Sequence, residues 1–122
     1  MKKLTRKEEE VMKIMWKIKE GFVKDIVEYF PEPKPHYNTI SSIVRLLEEK
    51  GFVDHNAFGN THQYFPIISK QEYRKAFIRD VVKDYFDNSY KQTVSLFIED
   101  QNLSKEDLDE LFNLIKSKKE AL

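Results

Sequence analysis

The chain has 122 residues, enough for one ordinary domain or for a small domain with an extension that needs a partner. Its 21 basic residues are matched by 21 acidic ones, 11 against 10 up to Pro66 and 10 against 11 beyond it, so any attraction to a polyanion must come from local placement of charge. The lack of cysteine excludes disulfides and thiolate metal sites, no apolar run approaches the ~20 residues of a membrane span, and the Met1 to Thr5 start lacks the apolar stretch of a signal peptide; a cytoplasmic address without membrane insertion is expected.

The first predicted helix opens at Thr5-x-x-Glu8, a capping box in which hydroxyl and carboxylate satisfy free backbone amides. It turns Val11, Ile14, Met15 and Ile18 inward, and Trp16 reads as a core residue. Gly21 breaks it, and a short second helix carries Val23, Ile26, Val27 and Phe30 at the i, i+3, i+4, i+7 spacing of one buried stripe. Pro31, Pro33 and Pro35 alternate with Glu32 and Lys34, an extended, donor-poor spacer that sets the angle of the next helix.

That third helix buries Ile40, Ile43, Val44 and Leu47 and leaves Asn38, Thr39, Ser41, Ser42 and Arg45 outward. An amide, small hydroxyls and one guanidinium are side chains that read base edges and phosphates in a major groove, and the free amides at a helix start favour phosphate. The helix stops at Lys50-Gly51, a strand follows through Phe52 and Val53, Phe58-Gly59-Asn60-Thr61 turns, and His62 to Phe65 returns to Pro66. Helix plus hairpin outline a reading head for duplex DNA. The hairpin tip carries no Lys or Arg, so its expected contacts are hydrogen bonds from Asn60, Thr61 and His62, with Lys2, Lys3, Arg6 and Lys34 as further phosphate anchors.

Ser69-x-x-Glu72 caps a fourth helix with rows Tyr73, Phe77, Val81, Tyr85 and Ile78, Val82, Phe86. Asn88-Ser89 marks a bend before Tyr90, Val94, Phe97 and Ile98, and Ser104-x-x-Asp107 starts a last helix with Leu108, Leu111, Phe112 and Ile115 inward. About fifty residues cannot bury so much apolar surface alone, so a second copy of the chain is the expected cover, anchored by Phe77, Val81, Phe86 and Phe97. Asp54, His55 and His62 could converge across the hairpin, yet no fourth ligand is evident; no metal and no cofactor are expected. No nucleophile-base pair, Gly-rich phosphate loop or His-Glu-x-x-His motif is present, so an enzyme is not expected.

These residues resemble the BlaI/MecI/CopY group of winged-helix transcriptional repressors. Glu9 to Trp16 is similar to the family's Glu-x-x-Val-Met-x-x-x-Trp opening; Thr39-Ile40-Ser41-Ser42 and Leu46 to Gly51 are similar to its Thr-Val-x-Thr and Arg-Leu-x-x-Lys-Gly signature; Tyr64-Phe65-Pro66 resembles the close of its wing, and Leu103 to Leu111 its final helix. Ser42 stands where threonine is usual, Leu46 where many members carry arginine, and the cysteine cluster of the copper-responsive branch is missing. The resemblance implies a mainly α fold with a small β-hairpin wing, a winged helix-turn-helix DNA-binding domain over 1–68 and a helical dimerisation domain over 69–122. It further implies a homodimeric repressor on a pseudo-palindromic double-stranded operator. In the antibiotic-responsive branch release involves proteolysis at an Asn-Phe bond, matched here by Leu96-Phe97; the resemblance implies release through a membrane-bound sensor protease, and because the asparagine is absent the expectation is a different cleavage preference or release without cleavage. The competing expectation is a winged-helix adaptor that binds protein and not DNA, which neutral charge and a cation-free wing tip would suit.

Overall fold

Helix α1 (Arg6–Ile18) starts where Thr5 Oγ1 accepts the Glu8 N–H at 3.2 Å and Glu8 Oε1 accepts the Thr5 N–H at 2.7 Å, the two bonds of a capping box. The computed structural model describes all residues 1–122. Its α1 stripe is Glu8, Val11, Met12 and Met15, an i, i+3, i+4, i+7 set headed by a charged residue. Ile14 and Ile18, expected inward, flank that stripe half-buried, while Met12 is fully buried. The displacement follows from Glu8: a carboxylate can head a core stripe only if it is paired, and Lys50 Nζ meets Glu8 Oε1 at 2.7 Å. Burial by itself would raise the Glu8 pKa, but the bonds from Lys50 and Thr5 outweigh it and hold the carboxyl below its ordinary 4.5.

The chain leaves α1 through Lys19, at φ 71°, and Gly21 then forms a short antiparallel bridge with Tyr64 through bonds of 2.9 and 2.8 Å. A Cβ on Gly21 would lie 2.7 Å from Ile18 Cδ1, so its lack of a side chain suits the close approach. In α2 (Val23–Glu28), Asp25 accepts the Phe22 N–H at 2.9 Å, and Val23 and Ile26 are buried. The prolines lead into α3 (Tyr37–Glu49), where Ile40, Val44 and Leu47 face the core and Ile43 lies at its edge.

Helix α3 ends in a Schellman motif: Phe52 N–H donates to Leu47 O at 2.9 Å and Gly51 N–H to Glu48 O at 3.0 Å, with Gly51 at φ 81°. Phe52 thereby turns back beside Leu47, both fully buried. Strands β1 (Val53–Phe58) and β2 (Thr61–Pro66) pair antiparallel from Val53↔Pro66 to Phe58↔Thr61, leaving a two-residue loop. Of its two residues only Gly59, the first, has positive φ (61°), the signature of a type II′ turn.

The core joins α1, α2, α3 and both strands. Helix α4 (Lys70–Phe86) opens with a reciprocal Ser69–Glu72 cap at 3.0 and 3.2 Å. In its first turns Tyr73 meets Trp16 and Phe52, with ring centroids 5.6 and 5.8 Å away, and donates its hydroxyl to the Glu9 carboxylate. Burial, aided by Glu9, raises the Tyr73 pKa far enough to keep the phenol protonated. Trp16 Nε1 donates to Ile68 O at 2.9 Å. The first compact unit accordingly runs Met1–Phe77 and includes these turns.

The second unit, Ile78–Leu122, holds the rest of α4, then α5 (Tyr90–Asp100) and α6 (Lys105–Glu120). Helix α4 stops at Asp87 and Asn88, φ 50° and 64°, and Ser89 Oγ caps α5 by accepting the Gln92 N–H at 3.1 Å. Ser104 and Asp107 form the expected box on α6. Val82 is the one buried residue of the three helices; Tyr85, Tyr90, Phe97, Phe112 and Ile115 are all more than half exposed. No helix is long and apolar enough to cross a membrane.

Candidate nucleic-acid interface

The outward face of α3 and the inner side of the wing enclose a cleft of about 300 Å3. Ser41 and Arg45 line it from the helix, one turn apart, and Asn60, Thr61 and His62 line it from the wing. Five of the eight residues of α3 and the wing expected to contact DNA are thus brought to one place. Asn38 and Ser42 stay exposed on the same helix, and Ser42 Oγ donates to Asn38 O at 3.0 Å. Thr39 lies in a separate hollow with Pro31, Pro33, Pro35 and Ile43, on the flank of the helix. Its place follows from the helix repeat: about 100° per residue puts Thr39 a quarter turn from Asn38 toward Ile43.

Lys24 and Tyr37 also line the cleft, and sequence reasoning missed both. Lys24 is the second residue of α2 and Tyr37 the first of α3, so neither sits in an outward repeat that a periodicity count could pick out. Lys24 supplies a second cation opposite Arg45's helix. At the head of α3, His36 makes no side-chain cap, so the amides of the first turn carry no competing side-chain acceptor.

The wing is held in place from three sides. Phe58, near its tip, meets Phe22 edge-on at 5.8 Å; Gly21 bridges Tyr64; and His55 Nδ1 on β1 lies 2.5 Å from Glu48 Oε1 on α3. The last contact also ties Glu48, one turn beyond Arg45, to the wing. Thr61 Oγ1 donates to Phe58 O at 2.8 Å, bracing the turn, and the His62 ring stacks on His55 at 3.9 Å with an interplanar angle of 7°. Burial first, then the charge of Glu48, raises the Tyr64 pKa, so its phenol stays neutral beneath the cleft. Lys34, expected as a phosphate anchor, spends its ammonium on Glu28 O at 2.8 Å and Phe30 O at 3.1 Å, folding the proline segment.

A rigid groove with Arg45, Lys24, hydroxyls, an amide and an imidazole can offer donors to base edges and phosphates together. Comparison with known proteins points the same way. Residues 4–117 match the family model described as penicillinase repressor. The chain is 24% identical over 110 residues to the methicillin resistance regulatory protein MecI of Staphylococcus aureus (strain N315), covering 89% of each chain. It is 24% identical over 111 residues to the penicillinase repressor of Bacillus licheniformis, covering 90% of this chain and 87% of that one. The solution structure of the DNA binding domain of the repressor BlaI superposes with a TM-score of 0.50 at 27% identity, over 60% of this chain and 94% of that one.

Proposed function

The chain belongs to the penicillinase repressor family and carries a winged-helix fold like the BlaI DNA-binding domain, and from that premise we propose that it represses transcription as a homodimer on a pseudo-palindromic operator. The observation that carries this reading is the single cleft in which Ser41 and Arg45 of α3 meet Asn60, Thr61 and His62 of the wing. Helix α3 enters the major groove, Arg45 and Ser41 read base edges, and the wing residues with Lys24 hold phosphates. Residues 1–68 supply DNA binding and 69–122 dimerisation, with the opening turns of α4 also packing on Trp16. Two heads on one dimer make the second half-site an intramolecular event, so modest affinity per head suffices. Phe77, Val81, Phe86 and Phe97 anchor the dimer, and the largely uncovered faces of α4, α5 and α6 support that role.

Fluorescence anisotropy against the DNA upstream of its own gene, repeated across salt concentrations, tests the reading. Saturable binding that weakens steeply with salt, as counterions are released from several phosphates, is expected. A protein adaptor would show no saturable, salt-dependent change.

A further inference from the structure

We propose that Glu48, Asp54 and His55 form a site for a divalent ion of the zinc class, spanning the recognition helix α3 and strand β1 of the wing. Each offers one ligand atom, and these atoms lie within 4.8 Å of one another. The sequence reading set Asp54 and His55 beside His62 without a fourth ligand; in the fold His62 stacks on the His55 ring, and Glu48 from the last turn of α3 takes its place as the third donor. One imidazole and two carboxylates make a mixed donor set of the kind zinc accepts, and two carboxylates with a neutral imidazole balance a divalent charge. Three protein donors leave the fourth position of a tetrahedral ion to water.

Accepting the ion requires the short Glu48–His55 contact to open and the wider donor separations, up to 4.8 Å, to close onto it. Donors on a tetrahedral zinc stand about 3.3 Å apart at the usual bond lengths, so His55 Nδ1 and Glu48 Oε1, now 2.5 Å apart, must separate by under an ångström. Both side chains are about a third exposed, which gives them that freedom. Asp54 is exposed and uses Oδ1 to accept the His55 N–H at 2.8 Å, leaving Oδ2 to turn toward the ion. The ion takes the place of the direct Glu48–His55 contact and fixes β1 to α3. His62, stacked on His55, passes that fixation to the wall of the cleft.

The test uses the untagged full-length protein and reads metal, not DNA, so its outcome is independent of the repressor reading. Co2+ is titrated in and followed by its visible absorption, and Zn2+ is then used to displace it. Wild type should give a four-coordinate Co2+ spectrum that Zn2+ abolishes. Glu48→Gln, His55→Gln and Asp54→Asn should each weaken Co2+ binding by about tenfold or more, while His36→Gln leaves it unchanged. Asp54→Asn alters an exposed side chain and keeps the test valid if either of the other variants fails to fold. Absence of a Co2+ spectrum at large metal excess, or binding that survives Asp54→Asn and His55→Gln unweakened, overturns the proposal.

Discussion

Arg45 and Ser41 face the cleft from a helix whose opposite side is fully buried, so truncating them removes contacts without touching the core. Arg45→Ala and Ser41→Ala should each weaken operator binding by about 1 to 3 kcal/mol, with thermal melts by circular dichroism unchanged. Equal affinity in both variants would move the reading surface elsewhere. Glu8 gives a prediction of the opposite kind, on stability alone. Its carboxyl is lowered relative to the ordinary 4.5, so it stabilises the fold above that value and the stabilisation fades as pH falls through the folded-state pKa. Glu8→Gln loses the Lys50 pair and should cost about 1 to 3 kcal/mol at pH 7 in urea unfolding; as pH falls below 4.5 and through the lowered folded-state pKa the gap to wild type should close. The outward set on α3 was legible because it follows a helical repeat. The Glu8–Lys50 pair was not, because its partners are 42 residues apart and a local pattern sees only a few neighbours along the chain.

Elements were legible wherever their ends carry chemistry. The boxes at Thr5, Ser69 and Ser104 and the glycine stop at Gly51 all stand where the sequence placed them, since capping is decided within four residues. The inward sides of α1 and the flank of α3 were less so, because Ile14, Ile18 and Ile43 have the same hydrophobicity as core residues and only three-dimensional packing ranks them at the edge. The bridge between Gly21 and Tyr64 left no local trace at all; Gly21 reads in sequence as a helix breaker, and its pairing makes it also a brace for the wing. Gly51 is the sharper test of element-level reasoning. At φ 81° with open space around it, Gly51→Ala meets no clash and pays only for the left-handed backbone, about 1 kcal/mol. A drop in melting temperature with unchanged secondary structure is expected; no drop would mean that the Schellman turn does not depend on glycine.

At the scale of the whole molecule, the two units pose different energetic problems. Residues 1–77 contain almost every buried apolar side chain, whereas the helices beyond bury Val82 and leave aromatic faces open, a balance that a second copy would correct. Leu96 and Phe97 lie in mid-α5, each about half exposed, so a protease acting between them would have to unwind the helix first. Following the protein's size in its native cells during induction checks that route: a fragment ending at Leu96 supports cleavage, and intact protein leaving its operator rules it out. The dimer itself is tested by truncation. Ending the chain at Phe77 keeps Tyr73 against Trp16 and Phe52, so the shortened protein should remain folded and show the same Trp16 fluorescence on melting. It should sediment as a monomer where the full-length chain sediments as a dimer. Its operator affinity should fall by about a hundredfold or more, because each half-site must then be found by an independent molecule without the effective concentration supplied by the first. A full-length chain that sediments as a monomer at micromolar concentration, or a truncated one that binds the operator as tightly, would show that the helices after Phe77 serve a purpose other than joining two reading heads.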